Sequence, residues 1–282
     1  MPLSQENTSS TFRKLSRQLA KLAGKPIPEN IHRFRTSSRR VEVLVADLAQ
    51  ERSRNDKKLL KLLGRLRKKA GRVRDLDVEI AALRSLKIPQ EPVRKSQLMR
   101  MLAEEREKRE KKLVKTLDKK TVSEVRKRLK RTAASLDIPN TVNPLAIALQ
   151  KVTELELDHS AVTEETLHRF RIAGKRARYI AEIAGKSAEG ARLVEQLKRM
   201  QDSIGDWHDW AQLAQKAEKL FGGVQNSALV SALRNVARAK FRQAVNKLTE
   251  TRPKLGGQKA APVTTLGHRP SRQSSAPDAA VA

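Results

Sequence analysis

The stretch Ile31-His-Arg-Phe-Arg-Thr-Ser-Ser-Arg-Arg-Val41 decides how this chain is read, because it recurs as Leu167-His-Arg-Phe-Arg-Ile-Ala-Gly-Lys-Arg-Ala177. The offset is 168 − 32 = 136 residues. At about 100° per residue, a helix puts Arg35 and Arg39 on the face of His32. Phe34, Val41, Leu44, Val45 and Leu48 gather on the opposite face. In the second copy His168, Arg171, Lys175 and Arg178 share one face with Tyr179, and Phe170, Ala173, Ala177, Ile180 and Ala181 share the other. Arg40 and Arg176 sit at the flank of each stripe. Each copy therefore reads as an amphipathic helix, apolar toward a bundle core and cationic away from it.

A second pair of segments follows in the same order. Gly71-Arg-Val-Arg-Asp-Leu-Asp77 aligns with Gly205-Asp-Trp-His-Asp-Trp-Ala211, at an offset of 205 − 71 = 134. Two motifs repeated in order at nearly one offset indicate a duplication, with halves at about 9–137 and 143–249. Such halves are expected to assemble about a pseudo-two-fold axis. Gly71 and Gly205 read as helix ends, since glycine accepts the backbone that closes a helix. Asp75 and Asp209 then fall in the first turn of the next helix, where a carboxylate suits the helix dipole. Arg72, Arg74 and His208, near those starts, are candidates to extend the basic site.

Outward from these motifs, nearly the whole chain has helical periodicity and helix-forming composition. Breaks are expected at Gly24-Lys25-Pro26, Gly71, Pro89 to Pro92, Pro139 to Pro144, Gly185, Gly205 and Gly222-Gly223. They divide the chain into about eleven helices, at 9–23, 28–51, 54–70, 72–86, 93–117, 119–136, 143–157, 163–184, 188–203, 206–221 and 226–249. No segment alternates like a strand. The expected fold is all-α, with an equivalent helical unit in each half. Residues 1–8 and the Pro-, Gly- and Ser-rich tail 251–282 are expected to be disordered. The run Arg106 to Lys112 reads as a solvated helix face laced by i,i+4 pairs.

Charge narrows the partner. The chain has 282 residues, 60 Lys and Arg against 31 Asp and Glu, and a formal net charge of +29. The tail from Thr251 holds five cations and one anion, so residues 1–250 keep +25. Such an excess calls for a polyanion: nucleic acid, polyphosphate or an anionic membrane surface. There are no cysteines, which excludes disulfides, thiolate metal sites and cysteine nucleophiles. No apolar run reaches the roughly 18 residues of a membrane span, and Met1 to Thr11 lacks an apolar signal-peptide core. A cytoplasmic protein is expected. Aromatic residues make up only 3%, two Trp, one Tyr and five Phe, which leaves few rings for stacking bases.

A chain of phosphates offers anionic oxygens in all directions and no bases. It is held by many cations on a rigid support, with arginine as a planar fork and lysine as a compact charge. Histidine adds a donor whose pKa a bound polyanion would raise.

The two motif pairs resemble the CHAD family, the helical domains named for their histidines. The family pattern is an H-x-x-R-x-x-x-[RK]-R helix followed by an L-G-x-x-x-D helix, both present twice. Here the first is His32, Arg35, Arg39 and Arg40, then His168, Arg171, Lys175 and Arg176; the second is Gly71 with Asp75, then Gly205 with Asp209. The resemblance runs from about residue 9 to 249. It implies two pseudo-symmetric antiparallel helical bundles with a basic groove between them, inorganic polyphosphate as ligand and association with polyphosphate granules. Carried over, the contacts come from His32, Arg35, Arg39, His168, Arg171, Lys175 and Arg178, with Tyr179 and Lys198 matching further family positions. Gly205-Asp206-Trp207-His208 lacks the Arg-Asp pair of the first copy.

Relatives fused to a triphosphate-tunnel hydrolase carry a Glu-x-Glu-x-Lys strand, where this chain has Glu154-Leu-Glu156-Leu-Asp158 without the lysine. No phosphate-cradling G-x-x-x-x-G-K-[ST] loop occurs. Asp202, Asp206 and Asp209 would make a metal site only on one helix, which a break at Gly205 interrupts. The sequence therefore reads as a non-catalytic polyphosphate binder with no cofactor and no metal, and a binder of nucleic-acid backbone is its rival.

Overall fold

The computed structural model describes residues 5–154, 162–184 and 187–256. Among them are nine α-helices, one π-turn and no strand. The first half holds α1 (Gln5–Gly24), α2 (Pro28–Val43), α3 (Arg54–Ser85), α4 (Pro92–Thr116) and α5 (Lys119–Ser135), with the π-turn Leu44–Leu48 extending α2. The second holds α6 (Pro144–Thr153), α7 (Glu164–Ile183), α8 (Ala188–Phe221) and α9 (Ala228–Gly256).

Local chemistry sets most of these bounds. Prolines open α2, α4 and α6 at their first turns, where a missing N–H costs nothing. Ser53 and Ser187 cap α3 and α8, each accepting a backbone N–H three residues on. Gly222, with φ of 84°, takes the left-handed backbone that ends α8. The segment Arg106 to Lys112 forms the expected pairs, Arg106 with Glu110 and Lys111 with Glu107. Arg106 also reaches Asp77 on α3, at 2.6 Å.

Two expected breaks do not occur. α3 runs straight through Gly71 and α8 through Gly205, so eleven helices become nine. A mid-helix glycine costs only about 1 kcal/mol. In α3 the buried stripe Leu63, Leu66, Ala70, Val73 and Leu76 crosses Gly71 without interruption, and burying such side chains is worth about 1.5–3 kcal/mol each. Asp75 and Asp209 are accordingly mid-helix residues, not first-turn ones. At the ends, α1 already starts at Gln5, inside the 1–8 segment, and α9 continues to Gly256, past residue 251. Tail residues 257–282 and the motif positions Glu156 and Asp158 lie outside the described residues.

The duplication is visible in the packing. α1–α2–α3 repeats as α6–α7–α8, and α9 packs along α8 and reaches α6. In the first half that work is divided: α4 packs on α3, while α5 packs on α1 and α3. At the centre α2 meets α7 and α3 meets α8. One core cluster draws on both halves and includes Phe34 and Phe170, which are 136 residues apart and fully buried. Truncating either phenylalanine to alanine costs about 3–5 kcal/mol.

A reciprocal pair of ion pairs marks the axis. Arg40 on α2 donates to Glu182 on α7 at 2.8 Å. Its mate Arg176 on α7 donates to Asp47 at 2.9 Å. The arginines are 136 residues apart and the carboxylates 135, and the π-turn inserts the extra residue that accounts for the difference. Each arm of one half thus grips the other, as an isologous contact requires.

Candidate functional site

Helices α2, α3, α7 and α8, joined by α1 at the larger, line two cavities, one of about 740 Å³ and one of about 220 Å³. The two share Arg35, Arg39, Asp75, Arg171, Lys175 and Asp209. These six are three mate pairs: Arg35 with Arg171 and Arg39 with Lys175 at offset 136, and Asp75 with Asp209 at 134. They ring the pseudo-two-fold axis, with one cavity on each side. Beyond the ring the larger cavity adds Arg74 and Val78, and the smaller adds their mates His208 and Gln212.

Charge in the larger cavity is one-sided, with ten Lys and Arg lining it against five Asp and Glu. Arg39, Arg171 and Lys175 have no hydrogen bond or ion pair among the described residues. Nε of Arg171 is buried without a partner. Burial and like-charged neighbours therefore govern ionisation here. Burial, then Arg171 and Arg39, pull Lys175 down to about 7, against the attraction of Asp209. Burial lifts Asp209 to about 6, opposed by Arg171 and Lys175. Burial also lowers Arg35 and Arg39 from the usual arginine value. Histidines feel the same field. Burial, followed by Arg74 and Arg35, depresses His32, and burial, followed by Arg171 and His168, pushes His208 to about 4. Both begin neutral at pH 7, so charging them on contact with an anion starts from below the ordinary histidine range.

Gly71 has a specific task. A methyl there would sit on Nη1 of Arg35 and 3.3 Å from its Cζ. The bare backbone lets that guanidinium lie against α3 and donate to the carbonyl of Arg67 at 3.2 Å. The mate differs: Gly205 has open space where a Cβ would be, and Arg171 carries no such tether. Gly174 does serve packing, because Met200 would lie 2.6 Å from a Cβ there. Gln201 donates across that close approach to the carbonyl of Gly174, at 2.5 Å.

The structure brings most of the expected residues together. His32, Arg35, Arg39, Arg40, Arg74, Arg171, Lys175, Arg178, Tyr179 and Lys198 line the larger cavity. Arg40 is held at its rim by Glu182, which also lies 3.4 Å from Nε of Arg178. The Arg178 guanidinium covers the Tyr179 ring at 5.1 Å. His208 lines the smaller cavity, and His168 stands outside both, its ring 6.2 Å from that of His208. Three expected contacts therefore lie outside both cavities: His168, Arg72 and Arg176. Arg72 lines neither cavity: it is exposed on α3, seven residues before Glu79 and so about two turns short of the smaller cavity. Arg176 also lies outside both, committed to Asp47, whose side chain is only 5% exposed.

Sequence reasoning missed Lys14, Gln18, Gln201, Asp75 and Asp209 among the lining residues. Lys14 and Gln18 come from α1, which carries neither motif. The two aspartates had a signal, their repeated place four residues after each glycine, but were assigned to helix starts. Because α8 is unbroken, Asp202, Asp206 and Asp209 do share one face, yet Asp206 is paired with Lys240 at 3.2 Å. No group of three or more metal-competent side chains comes together among the described residues, and no described helix is long and apolar enough to cross a membrane.

The CHAD domain family model matches residues 9–218. The solved CHAD domain from the plant Ricinus communis is similar in fold, with a TM-score of 0.63 at 19% identity, covering 92% of this chain and 93% of that one. PptA from Streptomyces chartreusis gives a TM-score of 0.62 at 11% identity, covering 92% of this chain and 100% of its own. No curated protein matches the sequence. With duplicated histidine-arginine helices around one basic cleft and the family match spanning most of its length, this chain belongs to the CHAD domain family.

Proposed function

We propose that the cleft binds inorganic polyphosphate, that it does so without catalysis, and that the protein works in the cytoplasm at polyphosphate granules. The observation that carries this reading is the set Arg39, Arg171 and Lys175. They come from both halves, meet around one axis and make no hydrogen bond or ion pair among the described residues. Half-buried cations that outnumber the nearby carboxylates, here Asp75 and Asp209, and pair directly with neither are costly. A chain of phosphates relieves that cost at several positions at once, with charge-assisted hydrogen bonds. Nucleic-acid backbone carries the same charge but adds bases that gain from stacking. Tyr179 is the single Phe, Tyr or Trp lining the cleft; it is 6% exposed and already covered by Arg178.

The test is calorimetric titration of the full chain with long-chain polyphosphate, for the wild type and for Arg39→Ala/Lys175→Ala. Losing two charge-assisted contacts is expected to weaken binding on the order of a hundred-fold, with a melting temperature unchanged or raised. Polyphosphate should also displace single-stranded DNA at matched phosphate concentration. Binding unchanged in the double variant, or DNA competing equally per phosphate, would overturn the proposal.

A further inference from the structure

Arg54, Lys58, Lys61, Arg65, Lys68 and Arg72 follow one another along α3 at spacings of four and three. All six are exposed, and none makes a hydrogen bond or ion pair among the described residues. On a helix they form two adjacent seven-residue rows. Arg54, Lys61 and Lys68 lead to Asp75; Lys58, Arg65 and Arg72 lead to Glu79. Asp75 and Glu79 both line the smaller cavity. The rows therefore begin one to two turns short of that cavity's wall, where Asp75 and the Lys216-paired Glu79 stand, and run outward along α3 for about 27 Å.

The fold does not call for this pattern. α8 begins 134 residues after α3, each with a serine cap, so mate positions can be read directly. They are Ala188, Arg192, Glu195, Arg199, Asp202 and Asp206, two cations and three carboxylates. The same place in the same fold is thus occupied by nearly balanced charge in one half and by cations alone in the other. Like charges three and four residues apart weaken a helix. Here that cost is repeated along five consecutive steps with no ion pair to offset it, although Arg65 also acts on Asp118.

We propose that these two rows form a rail for the part of a polyphosphate chain that leaves the cleft through the smaller cavity. This rests on the reading of the cleft as a polyphosphate site. Long chains are held by cleft and rail together, and short chains by the cleft alone, so the protein discriminates by chain length. The rail lies on the helix that forms the cavity wall and is one helix wide, which fits a single extended strand. A duplex, which is far wider, gains little from a track of that width. Joining two sites on one chain raises affinity without any new kind of contact, because the second event becomes intramolecular.

The experiment uses the full chain carrying Lys61→Gln, Arg65→Gln and Lys68→Gln, with Lys58→Gln/Arg65→Gln/Arg72→Gln as an independent set. Glutamine has nearly the helix propensity of lysine and arginine, and circular dichroism checks the fold. Titrations use tripolyphosphate, long-chain polyphosphate and duplex DNA over a range of salt. Each exposed contact is worth roughly two- to five-fold. The variants should therefore lose on the order of ten- to a hundred-fold for long chains and less than about two-fold for tripolyphosphate. The long-chain salt slope should fall by about 2, at ~0.7 per phosphate no longer neutralised. Equal losses for short and long chains, or none for long chains, overturn the rail and leave the cleft standing. Loss of DNA affinity with long-chain affinity retained overturns it in favour of nucleic acid. A wild-type protein that binds neither polyphosphate removes the cleft reading, and the rail with it.

Discussion

Substituting the two repeated glycines separates helix energetics from ligand geometry. Both lie inside continuous helices, so Gly→Ala gains about 0.5–1 kcal/mol at each from helix propensity and a less flexible unfolded chain. At Gly205 nothing lies within 4 Å of the new methyl. Gly205→Ala should therefore raise the melting temperature by about 1–3 °C and leave polyphosphate affinity within about two-fold. At Gly71 the methyl displaces the Arg35 guanidinium and breaks its 3.2 Å bond to the Arg67 carbonyl. A bond from a charged donor is worth about 1.5–3 kcal/mol, so Gly71→Ala should come out destabilised by up to about 2 kcal/mol. It should also bind polyphosphate roughly ten-fold more weakly, because Arg35 no longer holds its place beside Arg39. Thermal melts and calorimetric titration read both quantities. A cycle tightens the test: in an Arg35→Ala background, Gly71→Ala should become stabilising, as Gly205→Ala is. If Gly71→Ala behaves like Gly205→Ala in the wild type, Arg35 does not rest on Gly71 and the account of the ring fails.

Other outcomes follow from the same charges. Lys175 stands near 7 in the free protein, and a bound polyanion raises it, so affinity is full below pH 7 and falls by up to about ten-fold per unit above it. Lys175→Arg should flatten that profile between pH 7 and 9, and an unchanged slope in the variant refutes the assignment. In the free protein the depressed Lys175 makes stability rise with pH above about 7, since the unfolded lysine keeps its proton to about 10.4. The raised Asp209 makes stability fall as pH climbs from about 4 to 6, where the folded state alone holds the proton; chemical denaturation of wild type against Asp209→Asn should show both limbs and the loss of the second. Arg176→Ala strands the buried Asp47 with only Lys151, 3.4 Å away. It should cost about 1–2 kcal/mol of stability while polyphosphate affinity stays within about three-fold; a large affinity loss at constant stability would return Arg176 to the binding site.

Helical periodicity and the duplicated motifs were enough to read the all-α fold, because the apolar stripes of α2 and α7 are each set by one helix. Phe34, Val41, Leu44, Val45 and Leu48 are buried as their spacing demands, and so are Phe170, Ala177, Ile180 and Ala181. Helix continuity at Gly71 and Gly205 was not legible, because it depends on tertiary packing that outweighs a local preference. For Gly205 nothing in the structure explains the choice of glycine. The site divides along the same line. That Arg35 and Arg39 share a face follows from the helix alone. Which cations are free does not, since a carboxylate on the opposite half decides it. Arg40 and Arg176 repeat as faithfully as Arg39 and Lys175, yet Glu182 and Asp47 wait across the axis for the first pair only. The π-turn Leu44–Leu48, whose one-residue offset brings Asp47 into register, has no sequence signal of its own.

The departures from symmetry bear on how such a cleft recognises its ligand. A perfect two-fold site would present each cation twice in fixed relation, matching one ligand shape. Here the first half ties Arg35 to its helix backbone through Gly71, while Arg171 and Lys175 in the second remain without tethers. One anchored donor supplies a reference point at little ordering cost on binding, because its geometry is already set. The untethered ones can follow a ligand whose charge repeats evenly but whose backbone bends freely. Asp75 and Asp209, at the ring itself, act against the same cations and limit their mutual repulsion in the empty cleft. That compensation is incomplete, as the depressed Lys175 shows, and the remainder is free energy that an incoming polyanion recovers. Removing both aspartates should thus strengthen polyphosphate binding while destabilising the free protein, and weaker binding after Asp75→Asn/Asp209→Asn, read by the same titration, would mean that the carboxylates orient the cations instead of restraining them.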